Sequence, residues 1–277
     1  MPELPEVEVT RASLADRLVG ARVLDARLGK PLRWPLGCAV ESLRGRIAGQ
    51  VQRRGKYLWL ALTDEASEGS GGLLLHLGMS GSLRLAEDPA PAGPHDHFDL
   101  VTSRGTLRLT DPRRFGAVVW SDAIDVDPAA GLLARLGPEP FDPALSPERF
   151  HAGLRRPHSA IKLVLLSGQA VVGAGNISAC EALHRAGIDP RLRSDRLSRP
   201  RAERLLVELR RTLAQAIEAG GSTLRDFRDA HGAAGEFQDM ARVYGRAGQP
   251  CPTCGAPIRR LVQAQRATYW CVGCQRR

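Results

Sequence analysis

Four cysteines near the C-terminal end of this 277-residue chain have the spacing of a metal site. The segment CPTCGAPIRRLVQAQRATYWCVGC follows the pattern C-x2-C-x16-C-x2-C, with cysteines at Cys251, Cys254, Cys271 and Cys274. Four thiolates complete a closed, tetrahedral Zn²⁺ site of the structural type. A redox dithiol is the alternative, but two pairs flanking a segment of β-hairpin length favour zinc. We therefore expect one structural zinc ion, which would supply most of the folding free energy of so short a segment.

The first residues, MPELPEVE, combine two prolines with three carboxylates. A chain terminus usually tolerates change, so this composition is unusually specific. Pro5 suits the first turn of a helix, and Glu6 and Glu8 suit the positive end of the helix dipole. The apolar spacing predicts a helix from Leu4 to about Leu18, ended by Gly20.

Two further stretches have residue types that bind phosphate. Gly173, Gly175 and Asn176 precede a predicted helix, whose N-terminal N–H groups can bind an anion. Alone this pattern is weak, because a Gly-Asn turn more often only caps a helix. Arg259, Arg260 and Arg266 lie between the cysteine pairs, where a basic hairpin could contact a phosphate or simply face solvent.

The composition indicates a globular protein that is attracted to polyanions. Hydrophobic residues make up 43% of the chain and charged residues 25%, but the net charge is +9. DNA, RNA and an anionic membrane are the candidate partners, and the alternative explanation is a GC-rich genome, in which arginine is frequent. No apolar run reaches the roughly 18 residues of a spanning helix, and the N-terminus lacks the pattern of a signal peptide. We expect a soluble, intracellular protein.

The elements that position these residues change in type along the chain. Between Val23 and Trp120, short segments such as YLWLAL, GGLLLHLGMSGSL, HFDLVT, TLRLTD and GAVVW predict strands of a sandwich or barrel. TDEASEGSGG and AEDPAPAGPHD are predicted as surface loops. After the proline-rich boundary LGPEPFDPALSPERF, the segments SAIKLVLLSGQ, ISACEALHRAGI and PRAERLLVELRRTLAQAIEAGG predict helices, the last starting near Ser198 and Pro200.

Taken in order, PELPEVE, RRGKYLWL, HLGMSGSLR, DPRRFGA, GAGNI with CEAL and AGI, and the cysteine hairpin resemble the formamidopyrimidine-DNA glycosylase family. The resemblance spans residue 2 to about residue 275. It implies a bacterial base excision repair enzyme that removes oxidised purines and cleaves the abasic strand by β,δ-elimination. The implied fold is α+β, with a β-sandwich domain (1–136) that carries the terminal helix. A helical helix-two-turns-helix domain (137–244) and a zinc-finger hairpin (245–277) follow it. The implied partner is double-stranded DNA with oxidised bases, with no membrane, and we expect a monomer in the cytoplasm at the nucleoid.

The resemblance also assigns catalytic roles. Pro2 is the implied nucleophile, exposed when Met1 is removed, and it would form a Schiff base with the sugar. Glu3 is the implied acid, a role that requires a protonated carboxyl in a shielded site. Lys56 and Arg266 would bind phosphate and assist elimination. Glu6 is a supporting residue whose alternative role is only a favourable charge in the first helical turn.

DNA-binding residues follow from the same resemblance. A damaged base must leave the duplex before it is cut. The implied wedge residues that fill the void are Met79, Arg113 and Phe115, although ordinary core packing is the alternative for Met79 and Phe115. The other implied DNA contacts are at His95, Arg156 and Asn176.

Some positions depart from the family pattern. Ser178 and Cys180 stand where relatives often have tyrosine and a small polar residue. Pro157 and His158 replace lysines, and the loop at 229–239 lacks the expected basic and proline character, so the lesion preference stays open.

The alternatives are an endonuclease VIII-type enzyme for oxidised pyrimidines and a non-catalytic binder of damaged DNA. PELPEVE and DPRRFG disfavour the first, and Pro2, Glu3 and Lys56 disfavour the second.

Overall fold

A computed structural model describes residues 2–64, 70–155, 158–221 and 237–277. These residues fall into two compact units: unit 1 contains residues 2–134 with 220–221, and unit 2 contains residues 135–219 and 237–277. Some positions named above lie outside the described residues, namely Met1, residues 65–69 of the loop TDEASEGSGG, Arg156, Pro157, and residues 229–236 of the loop at 229–239. No helix in the described ranges is long and apolar enough to cross a membrane.

Unit 1 begins with helix α1, which confirms the prediction from the apolar spacing. It runs over Leu4–Leu18, and its Val7, Leu14 and Leu18 side chains are buried. The helix ends where Gly20 adopts a φ of 80°, a left-handed conformation that glycine accepts without strain. One face of α1 thus joins the core of unit 1, and its N-terminus carries Pro2 and Glu3.

Two four-stranded antiparallel sheets form the rest of unit 1. The strands are β1 (Val23–Leu28), β2 (Ile47–Arg54), β3 (Tyr57–Thr63), β4 (Ser70–His76), β5 (Ser82–Ala86), β6 (Asp96–Thr102), β7 (Gly105–Thr110) and β8 (Ala117–Ser121). One sheet has the order β2-β3-β4-β8 and the other β1-β6-β7-β5. Side chains of both sheets and of α1 share one buried apolar cluster, so the predicted sandwich is confirmed.

The last two glycines of the predicted loop TDEASEGSGG are part of a strand instead, and residues 65–69 of that loop lie outside the described residues. Gly71 and Gly72 belong to β4 and pair with Leu62 and Ala61 of β3. A Cβ at Gly71 would lie 2.3 Å from the Trp120 ring, and one at Gly72 would lie 2.5 Å from the Trp59 ring. For Gly71 and Gly72 the loop prediction was wrong, because these two glycines make room for two indoles and not for a turn.

The segment GGLLLHLGMSGSL, predicted to be β-structure, contributes to two strands. β4 ends at His76, residues 77–81 make a tight turn, and β5 begins at Ser82. Gly78 has a φ of 64°, and a Cβ there would lie 2.5 Å from the Gly116 nitrogen. The turn therefore packs directly on the loop that precedes β8, and it exposes Met79.

Unit 2 is mainly helical. Its helices are α3 (Pro147–Arg155), α4 (Ile161–Ser167), α5 (Asn176–Arg185) and α6 (Arg199–Glu218), and the short α2 (Ala129–Leu133) belongs to unit 1. The predictions for α4, α5 and α6 are confirmed, with Ser198 as the N-cap residue of α6. Helix α3 was missed, since its first residues were assigned to the proline-rich boundary.

The segment between the cysteine pairs is the predicted β-hairpin. β9 (Ile258–Gln263) and β10 (Arg266–Cys271) pair antiparallel, with Gln263 opposite Arg266. The two turn residues, Ala264 and Gln265, have φ values of 46° and 60°. Two consecutive positive φ values define the turn geometry that matches strand twist, so the hairpin tip has a fixed shape.

Candidate functional site

The N-terminus of α1 is fixed by a reciprocal pair of hydrogen bonds. The Glu3 backbone N–H donates to Glu6 Oε2 over 2.7 Å, and the Glu3 carboxylate accepts the backbone N–H of Glu6. Both side chains are nearly buried, with 4% and 3% of their surface exposed. This capping box holds the peptide that follows Pro2 in one position. Glu6 therefore has a clear structural role in addition to any role in the reaction.

An ion-pair network connects α1 to the turn that carries Lys56. Arg53 on β2 donates from Nε to Glu8 Oε2 over 2.8 Å and from Nη1 to the Gly55 carbonyl over 3.0 Å. Burial alone would raise the pKa of Glu8, but hydrogen bonds from Arg11 and Arg53 hold it below its ordinary value. Glu8 is thus an anion at neutral pH, and it ties the helix to the β2–β3 hairpin.

Lys56 lies in the two-residue turn of that hairpin, next to the half-buried His76. Partial burial, with the charges of Lys56 and Arg33 added to it, lowers the pKa of His76 to about 4. The His76 ring packs on Tyr57 with ring centroids 4.6 Å apart, and its Nδ1 accepts the Gly78 N–H over 3.0 Å. His76 is therefore neutral at physiological pH, and it adds no further positive charge beside Lys56.

The three predicted wedge residues are on adjacent exposed loops of unit 1. Met79 has 40% of its surface exposed and Phe115 has 43%, so neither is a core residue. The Arg113 guanidinium lies 5.0 Å from the centre of the Phe115 ring, in a cation–π contact. The core-packing alternative for Met79 and Phe115 is thereby excluded.

Asp111, which is fully buried, joins these two loops. Its Oδ1 accepts the Ser80 hydroxyl over 2.7 Å and the Arg113 N–H over 3.2 Å, and its Oδ2 accepts the Gly116 N–H over 2.7 Å. The Asp111 N–H donates to the carbonyl of the exposed His95 over 2.8 Å. One carboxylate thus positions Met79, Arg113 and Phe115. Asp111 is the first residue of DPRRFGA, but its type and position in that motif did not predict this role.

Unit 2 brings two side-chain nitrogen donors to the backbone beside Arg266. Asn176 Nδ2 donates to the Ala267 carbonyl over 2.9 Å, and Lys162 Nζ donates to the same carbonyl over 3.0 Å. Lys162 also donates to Thr268 Oγ1 over 2.7 Å and is fully buried. These bonds fix the first residues of β10, so Asn176 and Arg266 lie within one rigid cluster at the start of α5 and the hairpin tip.

Lys162 was not predicted as a site residue, although the sequence around it is unusual. It is the lone charge in the apolar run AIKLVLL, and a lysine with no exposed surface requires a compensating partner. The partners lie 105 and 106 positions further along the chain, so the sequence could reveal that a partner exists but not which one.

The four cysteine sulfurs have the arrangement that a tetrahedral zinc ion requires. All four lie within 4.8 Å of one another, with Cys251 to Cys274 at 3.8 Å and Cys254 to Cys271 at 3.4 Å. Zn–S bonds of about 2.3 Å in tetrahedral geometry place sulfurs roughly 3.8 Å apart. The donor set therefore fits one structural Zn²⁺, as predicted.

Backbone and side-chain donors surround Cys251. Burial opposes ionisation, but the N–H groups of Thr253 and Cys254 and the His184 ring lower the pKa of Cys251 to about 6. His184 Nε2 lies 3.4 Å from Cys251 Sγ, and the ring is buried on α5. This contact links the zinc finger to the helix that begins at Asn176.

Three sequence families match the chain. They are the formamidopyrimidine-DNA glycosylase N-terminal domain over residues 1–118, the formamidopyrimidine-DNA glycosylase H2TH domain over 136–228, and the zinc finger found in FPG and IleRS over 248–277. The chain is 57% identical to the formamidopyrimidine-DNA glycosylase of Variovorax paradoxus and 55% identical to that of Albidiferax ferrireducens, each over all of both chains.

Solved structures of formamidopyrimidine-DNA glycosylases are also similar to the chain. The chain is similar to the MutM (Fpg) protein of Thermus thermophilus, with a TM-score of 0.87, 40% identity and coverage of 99% of this chain and 98% of the other. It is also similar to a mutant Lactococcus lactis Fpg in complex with Fapy-dG-containing DNA, with a TM-score of 0.90, 33% identity and full coverage of both chains.

Proposed function

Because the chain belongs to the formamidopyrimidine-DNA glycosylase family, we propose that it works through a covalent intermediate on Pro2. The chain is a base excision repair enzyme, a glycosylase with lyase activity that removes oxidised purines from DNA. The proposal concerns the roles of its own residues in this reaction. The observation that carries the proposal is the capping box of Glu3 and Glu6, which fixes the backbone next to Pro2.

The first step requires removal of Met1, since a peptide bond would block the proline nitrogen. An α-amino group has a pKa of about 8, against about 10.4 for lysine, so more of it is free base near neutral pH. The Pro2 nitrogen attacks the sugar C1′, the glycosidic bond breaks, and its electron pair leaves with the base. The C1′–O4′ bond then breaks and opens the sugar ring. Of the two protons that O4′ and the base take up, one is released by the proline N–H. Glu3 supplies the proton to the opening sugar ring or to the base. The product is a cationic iminium, which acts as an electron sink.

Strand cleavage follows from that iminium. Loss of a C2′ proton expels the 3′ phosphate, and loss of a C4′ proton then expels the 5′ phosphate. We assign Lys56 and Arg266 to bind these phosphates and to stabilise the charge that develops on them. Asn176 is assigned to the phosphate backbone, in keeping with its place at the first turn of α5.

Base extrusion is assigned to the exposed loops of unit 1. Met79, Arg113 and Phe115 would fill the gap in the duplex, and His95 and Arg156 would contact the backbone. We propose residues 1–136 as the catalytic segment, 137–244 as the DNA-binding segment and 245–277 as the zinc segment. We further propose that the protein is a monomer, which light scattering of the free protein and of its DNA complex would test. We also propose that it acts in the cytoplasm at the nucleoid.

Borohydride trapping tests the mechanism. The protein, verified by mass spectrometry to begin at Pro2, is reduced on duplexes that carry 8-oxoguanine, thymine glycol or an abasic site. We expect an adduct on Pro2 that is strongest with 8-oxoguanine. A matched variant with one residue added before Pro2 should lose the adduct and keep its affinity for DNA.

Two results would contradict the proposal. An adduct strongest with thymine glycol would assign the chain the substrate of the endonuclease VIII type. No adduct from a chain that starts at Pro2 would leave a zinc-dependent binder of damaged DNA.

A further inference from the structure

Five arginines surround a cavity of about 390 Å³ in unit 2. Its charged lining consists of Arg185, Arg201, Arg204, Arg276 and Arg277. The described residues that line it include no aspartate or glutamate. At about 30 Å³ per water molecule, the cavity has room for about a dozen waters. Its volume is therefore larger than the volume of a single phosphate group.

The walls of this arginine cavity are fixed by hydrogen bonds of the backbone. The Arg276 N–H donates to the Gly187 carbonyl over 3.1 Å, and the Asp189 N–H donates to the Arg276 carbonyl over 2.9 Å. Arg201 Nη2 also donates to the Arg276 carbonyl, over 2.7 Å. The last residues of the chain are thus attached both to the end of α5 and to the start of α6.

Like charges are crowded in this cavity. Burial and the neighbouring charge of Arg204 lower the pKa of Arg201, and burial with the charges of Arg242 and Arg211 lowers that of Arg185. The Nε of Arg185 is buried and has no hydrogen-bond partner among the described residues. Such a cluster is stabilised when an anion enters it.

Few acidic groups offset this charge. Glu181 and Glu208 act on Arg185, and Asp189 Oδ2 lies 3.7 Å from Arg277 Nε. Asp189 is already paired with Arg191, at 2.6 Å. The first turn of α6 has no acidic residue, so the positive end of a 20-residue helix adds to the field of Arg201 and Arg204.

The arginine cavity is at the opposite end of α5 from the residues assigned to the lesion strand. Asn176 begins α5 and Arg185 ends it, a separation of about 14 Å at 1.5 Å per residue. Likewise Arg266 begins β10 at the hairpin tip, whereas Cys274 at the cavity follows the far end of that strand. One phosphate group cannot contact both places.

We propose that the arginine cavity is a second phosphate-binding site, which holds the backbone of a DNA segment other than the one that contains the lesion. Arg204, Arg276 and Arg277 are exposed, so the cavity is open to a long ligand and not only to a small one. Guanidinium groups bind phosphodiesters by paired hydrogen bonds, and DNA is present wherever this enzyme acts. The site would let the protein hold one DNA segment while it examines another.

The test measures binding of a second duplex to protein whose first site is filled. The zinc-loaded, full-length protein is saturated with a 13-bp duplex that contains a tetrahydrofuran abasic analogue. A labelled, undamaged 24-bp duplex is then titrated in at several salt concentrations. The variant Arg204→Gln/Arg277→Gln removes two exposed cavity charges, and the control Arg149→Gln/Arg196→Gln removes two exposed charges of unit 2 outside the cavity.

We expect the filled wild-type protein to bind the second duplex, and the cavity variant to bind it about tenfold more weakly. The slope of log affinity against log salt should fall in magnitude by about 1.8, because the variant neutralises two fewer phosphates. The control should bind the second duplex more tightly than the cavity variant, and all three proteins should excise 8-oxoguanine from a short duplex at the same rate.

The proposal is overturned if the filled protein binds no second duplex, or if the control loses as much affinity as the cavity variant. It is also overturned if pyrophosphate is bound in the cavity while the second duplex is not, which would identify a site for small polyphosphates. Because excision is measured separately, failure of this proposal differs from failure of the Pro2 mechanism.

Discussion

His76 is a half-buried imidazole that stays neutral beside a lysine. Its pKa in the folded protein is about 4, against an ordinary value of about 6.5. The unfolded chain therefore binds more protons between these pH values. The contribution of His76 to stability is complete above pH 6.5 and is lost as the pH falls toward 4.

Substitution His76→Gln removes this titration and keeps an acceptor for the Gly78 N–H. Between pH 7 and pH 5, the free energy of unfolding of the wild-type protein should fall by about 2 kcal/mol more than that of the variant. Urea unfolding at the two pH values measures the difference. An equal fall in both proteins would show that His76 titrates normally.

Asp111 illustrates how one residue can position three others. Substitution Asp111→Ala leaves the Ser80 hydroxyl and the N–H groups of Arg113 and Gly116 without their acceptor. We expect a loss of about 3 kcal/mol in the free energy of unfolding and at least a tenfold slower excision of 8-oxoguanine in single turnover.

The matched control for that substitution is Ser80→Ala, which removes only one of the three hydrogen bonds. It should cost about 1 kcal/mol and leave excision within about threefold of wild type. If both variants lose the same stability, Asp111 does not hold the two loops together.

At the scale of elements, the structure could be predicted where the signal is local. Helix α1 follows from apolar spacing and the first-turn prolines and carboxylates, and the β9–β10 hairpin follows from the distance between cysteine pairs. The break between β4 and β5 could not be predicted, because it depends on the contact of Gly78 with the backbone at Gly116. The same holds for Lys162, whose partners are on β10.

In the candidate site, too, some residues could be predicted from local sequence and others could not. The cysteines and the exposed loops could be found from motifs, and their geometry agrees with that interpretation. The positioning residues, Asp111 and Lys162, could not be assigned partners, because a buried polar group is satisfied by whatever the fold brings near it. The roles of Pro2, Glu3, Lys56 and Arg266 in the reaction stay predictions.

Helix α5 and the zinc finger are coupled through His184. When Cys251 is a zinc-bound thiolate, the His184 Nε2–H donates to its sulfur, and such contacts outside the ligand set stabilise a bound metal. Substitution His184→Phe should speed zinc release to a chelator about tenfold, as followed by a metallochromic dye. His184→Gln, which retains an N–H donor, should release zinc more slowly than His184→Phe. Equal release rates for wild type and His184→Phe would contradict the coupling.

At the scale of the whole molecule, zinc should matter to one unit and not to the other. The sulfur cluster packs with residues of unit 2, among them Cys180, Val243 and Ile258. The main core of unit 1 consists of the two sheets and α1, and the residues described in it include no zinc ligand. Structural zinc contributes folding free energy to the segment that binds it, so the effect of its removal depends on which contacts that segment makes.

We therefore expect that chelation of zinc exposes the hairpin Ile258–Cys271 and the adjoining turns of α5 to hydrogen exchange. The strands of unit 1, such as Tyr57–Thr63, should keep their protection, because their pairing partners stay in place. Mass spectrometry of peptic fragments from the same sample, with and without chelator, compares the two units directly. Loss of protection in the unit 1 strands would show that the sandwich depends on the zinc finger. Unchanged protection in the hairpin would show that the four cysteines do not need a metal to hold their fold.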